Sequence, residues 1–195
     1  MEGEGFLEPA RIVRNFGLKS GDHVADFGAG HGYFTIPLGQ AVGPEGGVYA
    51  IDIQKPALDI IRSKARVLHL LNIEYIRADL DEPGSSGLQE RFLDFVLIAN
   101  ALFQAEDREV LLREAWRVLR PGARMAMVEW DVAVPRLETA VADPGTADVA
   151  VPLGPPAAMR VKKETARMLA TQAGFELDRE FAAGPHHYGL LFVKK

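Results

Sequence analysis

Residues 24–34 read Val24-Ala25-Asp26-Phe27-Gly28-Ala29-Gly30-His31-Gly32-Tyr33-Phe34, a short apolar run followed by closely spaced glycines. Such a run is typical of a buried parallel strand, and such glycines are typical of a tight turn into a helix. Glycine lacks a Cβ, so it reaches positive φ angles at little cost and lets a ligand approach the N–H groups that begin a helix. The stretch therefore predicts a strand, a ligand-binding turn and a helix.

Outward from this stretch, strand-like apolar runs alternate with segments of helical periodicity. This alternation predicts an α/β fold: a Rossmann-like, doubly wound, mostly parallel seven-stranded sheet that ends in an antiparallel C-terminal strand pair. The predicted strands are His23–Phe27, Val48–Ile53, Ile73–Asp79, Leu93–Ala99, Ala123–Trp130, Glu176–Phe181 and Tyr188–Val193. The predicted helices are Leu7–Phe16, Tyr33–Val42, one that begins at Lys55, Arg108–Leu119 and Lys162–Ala173.

Composition limits the class of protein. The 195 residues, 48% of them hydrophobic, suffice for one α/β domain, and the net charge of -5 gives no general attraction for nucleic acid or an anionic membrane. The absence of cysteine excludes disulfides, thiolate zinc sites and cysteine nucleophiles. The first seven residues do not resemble a targeting segment, and no run of about 18 apolar residues occurs. We expect a single cytoplasmic domain without nucleic-acid or membrane partners, and its oligomeric state stays open.

The segment Val132–Met159 is the compositional outlier. It holds five of the twelve prolines and no aromatic residue. A structureless connection of this length in a compact domain is typically a functional lid or a disordered segment. Because it follows the fifth strand, we expect a substrate-side loop at 132–159 that closes over the cleft together with the N-terminal helix at 7–16.

Carboxylates stand at three consecutive predicted strand ends. Asp26 lies beside the glycine turn, Asp52 ends the second strand and Asp79 ends the third. In an open α/β sheet, ligands bind outside these carboxyl ends, where Asp52 is placed to accept ribose hydroxyl protons and Asp79 to accept an adenine amino group. Any one of them alone is equally typical of a helix cap, but three together favour a nucleoside site.

The glycine spacing distinguishes between nucleotide ligands. A dinucleotide fold requires a third glycine in G-x-G-x-x-G, and Tyr33 occupies that position. No Gly-Lys-Ser/Thr ending of a phosphate-binding loop is present. The spacing favours a ligand with adenosine and amino acid parts but no phosphate, a description that fits S-adenosylmethionine.

The chain resembles the class I S-adenosylmethionine-dependent methyltransferases over nearly its full length, and it is similar to their small-molecule branch of ubiquinone/menaquinone and arsenite methyltransferases. Two departures matter. Arsenite methyltransferases use cysteines, which are absent here, and Asn100-Ala101-Leu102-Phe103 replaces the Asn-Pro-Pro-aromatic motif common in nucleic-acid amino methylation. The matching blocks are 24–32, Val48-Tyr49-Ala50-Ile51-Asp52, Ala78-Asp79-Leu80, Leu93-Asp94-Phe95-Val96 and Glu114-Ala115-Trp116-Arg117-Val118-Leu119-Arg120-Pro121-Gly122.

The resemblance implies a set of cofactor contacts. The glycine turn would pass under the methionine part, residues 52–53 would bind the ribose, residues 79–80 the adenine, and the residue after the fourth strand would face the cofactor. From the residues themselves, Asp26 is placed to hold an ammonium group and Tyr33 to shield the cofactor. The predicted cofactor-binding residues are thus Asp26, Gly28, Ala29, Gly30, Tyr33, Asp52, Ile53, Asp79, Leu80 and Asn100.

A catalytic base is not identified by the sequence. Methyl transfer from a sulfonium requires a base only when the acceptor is protonated, and the candidates are Glu129, His186 and His187. Glu129 is also consistent with a solvated strand-end carboxylate, and the two histidines with exposed turn residues beside Gly184-Pro185. No residue set has the spacing of a metal site, so we expect no metal.

Two other functions stay open at this point. One is a non-catalytic domain that binds S-adenosylmethionine or a protein partner, because no clear base is present. The other is an NAD-dependent oxidoreductase on a related sheet, against which Tyr33 argues. The resemblance favours a methyltransferase that moves a methyl group to a small-molecule acceptor by in-line displacement.

Overall fold

A seven-stranded sheet organises the part of the chain that the computed structural model describes, residues 7–133, 137–141 and 149–195. In chain order the described strands are β1 (His23–Phe27), β2 (Gly47–Asp52), β3 (Ile73–Arg77), β4 (Leu93–Ala99), β5 (Leu119–Trp130), β6 (Leu137–Val141), β7 (Val149–Leu153), β8 (Phe175–Ala182) and β9 (His187–Lys194). The strand order in the sheet is β3-β2-β1-β4-β5-β9-β8, with β1 to β5 parallel and β9 antiparallel to both of its neighbours. This architecture confirms the predicted fold class.

Helices cover both faces of the sheet, so the central strands are buried on two sides. The first two helices pack with one set of buried apolar residues, and the last two pack with another on the opposite face. The helices are α1 (Pro9–Val13), α2 (Thr35–Val42), α3 (Lys55–Val67), α4 (Arg108–Val118) and α5 (Lys163–Gln172), with 3₁₀ turns at Arg14–Phe16 and Ala157–Met159.

Strand β1 shows why an apolar run was required at this position. Val24 packs in the cluster on the α1 and α2 side, whereas Ala25 and Phe27 pack in the cluster on the α4 and α5 side. All three side chains are fully buried. Because successive side chains point to opposite faces, Asp26 is directed toward the α1 and α2 side, where it is also buried.

Several element bounds differ from the predictions, those of β3 and β5 among them. Strand β3 ends at Arg77, so Asp79 lies two residues beyond it and not at its end. Strand β5 begins at Leu119 and runs through Pro121 and Gly122, which we expected only to stop the preceding helix. The pairing with β4 is irregular there, passing from Leu119 directly to Arg124, and this irregularity accommodates a proline that has no N–H to donate.

The prediction of a structureless connection at 132–159 is wrong at residues 137–141 and 149–153. Strands β6 and β7 lie within it and pair antiparallel with each other, apart from the main sheet. A 3₁₀ turn at Ala157–Met159 then leads toward α5. Residues 134–136 and 142–148 of this segment, and the N-terminal residues 1–6, lie outside the described residues.

Within the described ranges, no helix is both long enough and apolar enough to cross a membrane.

Phe16 anchors the N-terminal segment to the sheet, and its removal tests this packing. The ring is fully buried, stacks on Phe95 with 4.9 Å between centroids, and meets the edge of Phe181 at 5.7 Å. We expect Phe16→Ala to lower the free energy of unfolding by about 3 to 5 kcal/mol because it leaves a cavity in the core. Urea denaturation measures this change. The control Leu71→Ala, at a side chain that is 96% exposed, should change the free energy by less than about 0.5 kcal/mol. Equal effects of the two substitutions would contradict the conclusion that Phe16 anchors the N-terminal segment to the sheet.

Candidate active site

Two adjoining cavities lie beyond the carboxyl ends of β1, β2 and β4, where the strand order reverses between β1 and β4. Ligands bind at such a reversal in open α/β sheets. Gly28, Gly30 and Gln104 line both cavities, so the two form one cleft. The smaller cavity, about 220 Å³, is also lined by Asp52, Ile53, Gln54, Ala78, Asp79, Leu80, Asp81, Ala101, Ala105 and Leu111. The larger, about 560 Å³, is also lined by Leu7, Pro9, Asp26, Ala29, His31, Tyr33, Phe34, Ala99, Asn100, Trp130 and His187.

The glycine turn forms the floor between the cavities. Gly28 and Gly30 have φ angles of 74° and 50°, in the left-handed region that favours glycine. A Cβ on Gly28 would lie 2.7 Å from the Cβ of Ala101, so this glycine is also required for close packing against the segment after β4. A Cβ on Gly30 would meet no atom within 4 Å, and its position therefore faces the open cleft.

Asp52 ties the glycine turn to the end of β2. Its Oδ2 accepts the N–H of Gly30 and its Oδ1 accepts the N–H of Gln54, each at 2.8 Å. Each carboxylate oxygen has a second acceptor site. A carboxylate held in place by two backbone N–H groups, and facing a cavity, is suited to accept two further hydrogen bonds from a vicinal diol.

Asp26 supplies a buried carboxyl group to the larger cavity. Burial raises its pKa to about 7, and the negative charge of Asp52 adds to this effect. The Thr35 hydroxyl, which donates to Oδ2 at 2.6 Å, acts in the opposite direction. A cation bound beside Asp26 would favour its ionised form and be held by it.

The loop after β3 is fixed to the start of α4. Asp79 Oδ1 accepts the N–H of Asp81 at 3.0 Å, and the Ser85 hydroxyl donates to the Asp79 carbonyl oxygen. The Asp81 carboxylate in turn accepts the N–H groups of Glu106 and Asp107 at 3.1 Å each. The 79–81 wall of the smaller cavity is therefore held by backbone hydrogen bonds.

Asn100 carries a polar atom without a partner. Its φ is 54°, its N–H donates to the Val128 carbonyl at 2.8 Å, and its own carbonyl accepts from Gln104 Nε2 at 2.6 Å. Its side-chain Oδ1 is buried and has no hydrogen-bond partner among the residues described. Since unsatisfied buried acceptors are costly, this oxygen is suited to a ligand N–H or O–H.

Glu129 is not the solvated strand-end carboxylate that we considered from the sequence, because it is fully buried. Its Oε1 accepts the N–H of Leu102 at 2.7 Å, and Oε2 has no hydrogen-bond partner among the described residues. Burial raises its pKa to about 8, although the N–H groups of residues 101–103 and the charge of Arg108 lower it in part. Glu129 lines neither cavity. It holds the 101–103 turn, against which Gly28 packs.

The two histidines differ in position. His187 is buried, lines the larger cavity and contacts Trp130, with 4.2 Å between ring centroids and an angle of 41° between the ring planes. His186 lines neither cavity, and its carbonyl accepts the N–H of Asp131 at 2.9 Å. The expectation of two exposed turn histidines is therefore wrong for His187.

All ten predicted cofactor residues line one or other of the two cavities. Their binding role itself stays a prediction. Sequence reasoning missed Gln54, Gln104 and Ala101. For Gln54 and Ala101 a signal existed, because each lies one or two residues beyond a predicted strand end. Leu7 and Pro9, which line the larger cavity, belong to the N-terminal segment 7–16 that the sequence analysis expected over the cleft.

Known proteins resemble this chain in sequence. The family model described as "Methyltransferase domain" matches residues 24–122, which are 99 of the 195 residues. A ubiquinone/menaquinone biosynthesis C-methyltransferase UbiE of Pasteurella multocida is 32% identical over 115 residues. That alignment covers 58% of this chain and 42% of the relative, so the chain spans less than half of that protein's length.

Solved structures share the fold. An S-adenosylmethionine-dependent methyltransferase from Aquifex aeolicus has a TM-score of 0.81 at 24% identity, over 97% of this chain and 90% of that one. CrArsM, an arsenic(III) S-adenosylmethionine methyltransferase from Chlamydomonas reinhardtii, has a TM-score of 0.65 at 19% identity, over 90% of this chain and 64% of that one.

The fold is that of the S-adenosylmethionine-dependent methyltransferases among these solved structures. The chain belongs to the methyltransferase domain family, for which S-adenosylmethionine is the cofactor.

The buried carboxyl group of Glu129 makes stability depend on pH. Its folded-state pKa of about 8 lies above the ordinary 4.5, so its stabilising contribution is complete below about pH 4.5 and is lost as the pH rises toward 8. We expect Glu129→Gln to reduce the fall in the free energy of unfolding over this interval; Asp26 still contributes to the remaining slope. Urea titrations at several pH values measure this pH dependence of the free energy of unfolding.

Two further variants separate this effect from packing. Glu129→Ala removes the acceptor of the Leu102 N–H and should cost about 1 to 3 kcal/mol at every pH. Glu45→Gln, at an exposed position, should retain the pH slope of the native chain. A Glu129→Gln protein with an unchanged slope would show that Glu129 is ionised in the folded state.

Proposed function

We propose that this chain catalyses S-adenosylmethionine-dependent transfer of a methyl group to a small-molecule acceptor. The observation that carries the proposal is the Asp52 carboxylate, held by the N–H groups of Gly30 and Gln54 and facing the cleft beside an open glycine turn. The relatives' names support a small acceptor, because the Pasteurella protein is a C-methyltransferase of ubiquinone/menaquinone biosynthesis.

The described residues fit the cofactor part by part. Asp52 and Ile53 would hold the ribose and Asp79 and Leu80 the adenine, in the smaller cavity. In the larger cavity, the carboxylate of Asp26 and the unpartnered Oδ1 of Asn100 are suited to the ammonium group of the methionine part. The remaining proposed contacts are Gly28, Ala29 and Gly30 under the methionine part and Tyr33, whose ring is 70% exposed, at the cleft rim.

When bound, S-adenosylmethionine supplies a methyl group on a positively charged sulfur, a strong electrophile that needs no further activation. The protein's contribution is then to hold the acceptor in line with that group and to keep water out. The apolar side chains of Leu7, Phe34 and Trp130 suit the larger cavity to this task. Glu129 acts as a positioning residue for the 101–103 turn and not as the base, since it lines neither cavity.

Calorimetric titration with S-adenosylhomocysteine and with NAD tests the cofactor. We expect S-adenosylhomocysteine to bind and NAD not to bind, because Tyr33 replaces the glycine that a dinucleotide turn requires. Binding of NAD alone would overturn the proposal. Incubation with methyl-labelled S-adenosylmethionine and a metabolite extract then tests turnover, and the absence of any labelled product would favour a non-catalytic binding domain.

Asp52→Asn tests the ribose contact. It removes the charge and one acceptor oxygen but keeps a side chain of the same size, so we expect the affinity for S-adenosylhomocysteine to fall by about 1 to 3 kcal/mol. Calorimetry measures this change. Asp59→Asn is the matched control, because Asp59 lies on the exposed side of α3 in ion pairs with Lys55 and Arg62. An Asp52→Asn protein with the affinity of the Asp59→Asn control would exclude Asp52 from the ribose site.

A further inference from the structure

One wall of the larger cavity is built from two strand-end residues. Trp130 of β5 and His187 of β9 stand opposite each other in the antiparallel register, and their rings lie 4.2 Å apart between centroids. Both line the larger cavity together with Leu7, Pro9 and Phe34, and neither Asp52 nor Asp79 lines it. This wall therefore belongs to the part of the cleft beyond the proposed adenosine site.

The imidazole of His187 is buried in the wall of the larger cavity. Only 7% of the residue is exposed, and neither Nδ1 nor Nε2 has a hydrogen-bond partner among the described residues. Burial, with the nearby His186 and the positive charge of Arg160, lowers its pKa to about 4. The ring is then neutral near pH 7, with one nitrogen that donates and one that accepts. Buried nitrogens of this kind are satisfied when a ligand supplies a polar group.

The indole of Trp130 is held in a fixed orientation. The Arg160 guanidinium lies 5.4 Å from its ring centroid and donates to the carbonyl oxygens of Pro155 and Asp131 at 3.1 and 2.8 Å. A Cβ on Gly154 would lie only 2.8 Å from the indole ring, so the backbone after β7 also packs closely against it. These contacts fix the position of the apolar indole ring in the cavity wall before a ligand binds.

The charges of the larger cavity restrict what it accepts. Among its described lining residues there is no lysine or arginine, so none of these side chains gives an acidic acceptor group a cationic partner. Lys64, beside the lining residues His31 and Tyr33, donates to the His31 carbonyl oxygen at 2.7 Å. The basic residues that precede and begin α5 do not supply a cationic partner: Arg160 is bound to backbone carbonyls, and Lys163 pairs with Glu180 at 2.7 Å. An uncharged acceptor suits this surface.

We propose that Trp130 and His187 form the acceptor subsite, and that it takes an uncharged, flat aromatic acceptor whose hydroxyl group donates its hydrogen bond to His187. The inference rests on the proposed function. The indole stacks on the acceptor ring, and the imidazole nitrogen selects for the hydroxyl group.

The hydrogen bond to His187 also provides a base for the proton of the acceptor hydroxyl group. In a transfer to this oxygen, an oxygen–carbon bond would form as the carbon–sulfur bond of the methyl donor broke with its electron pair left on sulfur. The His187 imidazole would accept the proton of the acceptor hydroxyl. Even a weakly basic imidazole serves, because an oxygen that has gained a methyl group before losing its proton is a strong acid. The positive charge lost by the donor would reside on the imidazole until the proton passes to solvent.

Equilibrium dialysis of two probes tests the subsite in the presence of saturating S-adenosylhomocysteine. The probes are 2-naphthol and naphthalene, which differ only in the hydroxyl group. We expect the native chain to bind 2-naphthol about five- to tenfold more tightly than naphthalene, the size of one net hydrogen bond. His187→Phe, which keeps a flat ring beside Trp130, should bind the two probes equally, and His187→Gln, which retains a hydrogen-bonding group, should restore most of the difference.

Several results would overturn the subsite. These are equal binding of both probes by the native chain, binding of neither probe by a chain that binds S-adenosylhomocysteine, or retention of the preference in His187→Phe. A loss of S-adenosylhomocysteine affinity in His187→Phe at an unchanged melting temperature would place His187 in the cofactor site instead. If the native chain itself binds no S-adenosylhomocysteine, the proposed function fails and the subsite fails with it.

Discussion

The hydrogen bond from the Gly30 N–H to Asp52 Oδ2 joins the two halves of the cleft floor. It exists because β1 and β2 are parallel neighbours that end at the same edge of the sheet. The preceding turn is fixed by the same strand, since the N–H groups of Gly28 and Ala29 both donate to the Ile51 carbonyl at 2.9 Å. The backbone of one strand's turn is thus satisfied by the end of the next strand. The cavities on either side depend on that arrangement.

Two buried carboxyl groups extend this arrangement to opposite faces of the sheet. Asp26 faces the α1 and α2 side, where the Thr35 hydroxyl satisfies one oxygen, and Glu129 holds the turn after β4 through the Leu102 N–H. Burial raises the pKa of both groups toward or above neutrality. Their environments differ, because Asp26 lines a cavity that a cation can enter and Glu129 is enclosed by the fold. Asp26 is therefore suited to contact a ligand, and Glu129 is suited to hold the backbone.

Much of the fold was predictable because it rests on local patterns. The bounds of β1 and β4 agree with the predicted strands, since each is a nearly continuous apolar run that ends at a polar or glycine residue. The pairing of β6 with β7 was not predictable from a proline-rich segment without alternating side chains, and Pro152 lies within β7 itself. The continuation of β5 through Pro121 was missed because an Arg-Pro-Gly sequence normally indicates a turn.

For the site, the sequence by itself determined which polar groups follow β1, β2 and β4, because strand ends and turn glycines are local features. It therefore placed the ten proposed cofactor residues on one edge of the sheet, where the two cavities lie. Only the tertiary structure decided the environment of Glu129 and His187, which the sequence could not distinguish from exposed residues. Burial is set by neighbours distant along the chain, such as Leu102 for Glu129 and Trp130 for His187. The chemistry of a side chain follows from its residue type, but its protonation state and the ligand group it can contact follow from the residues that fold around it.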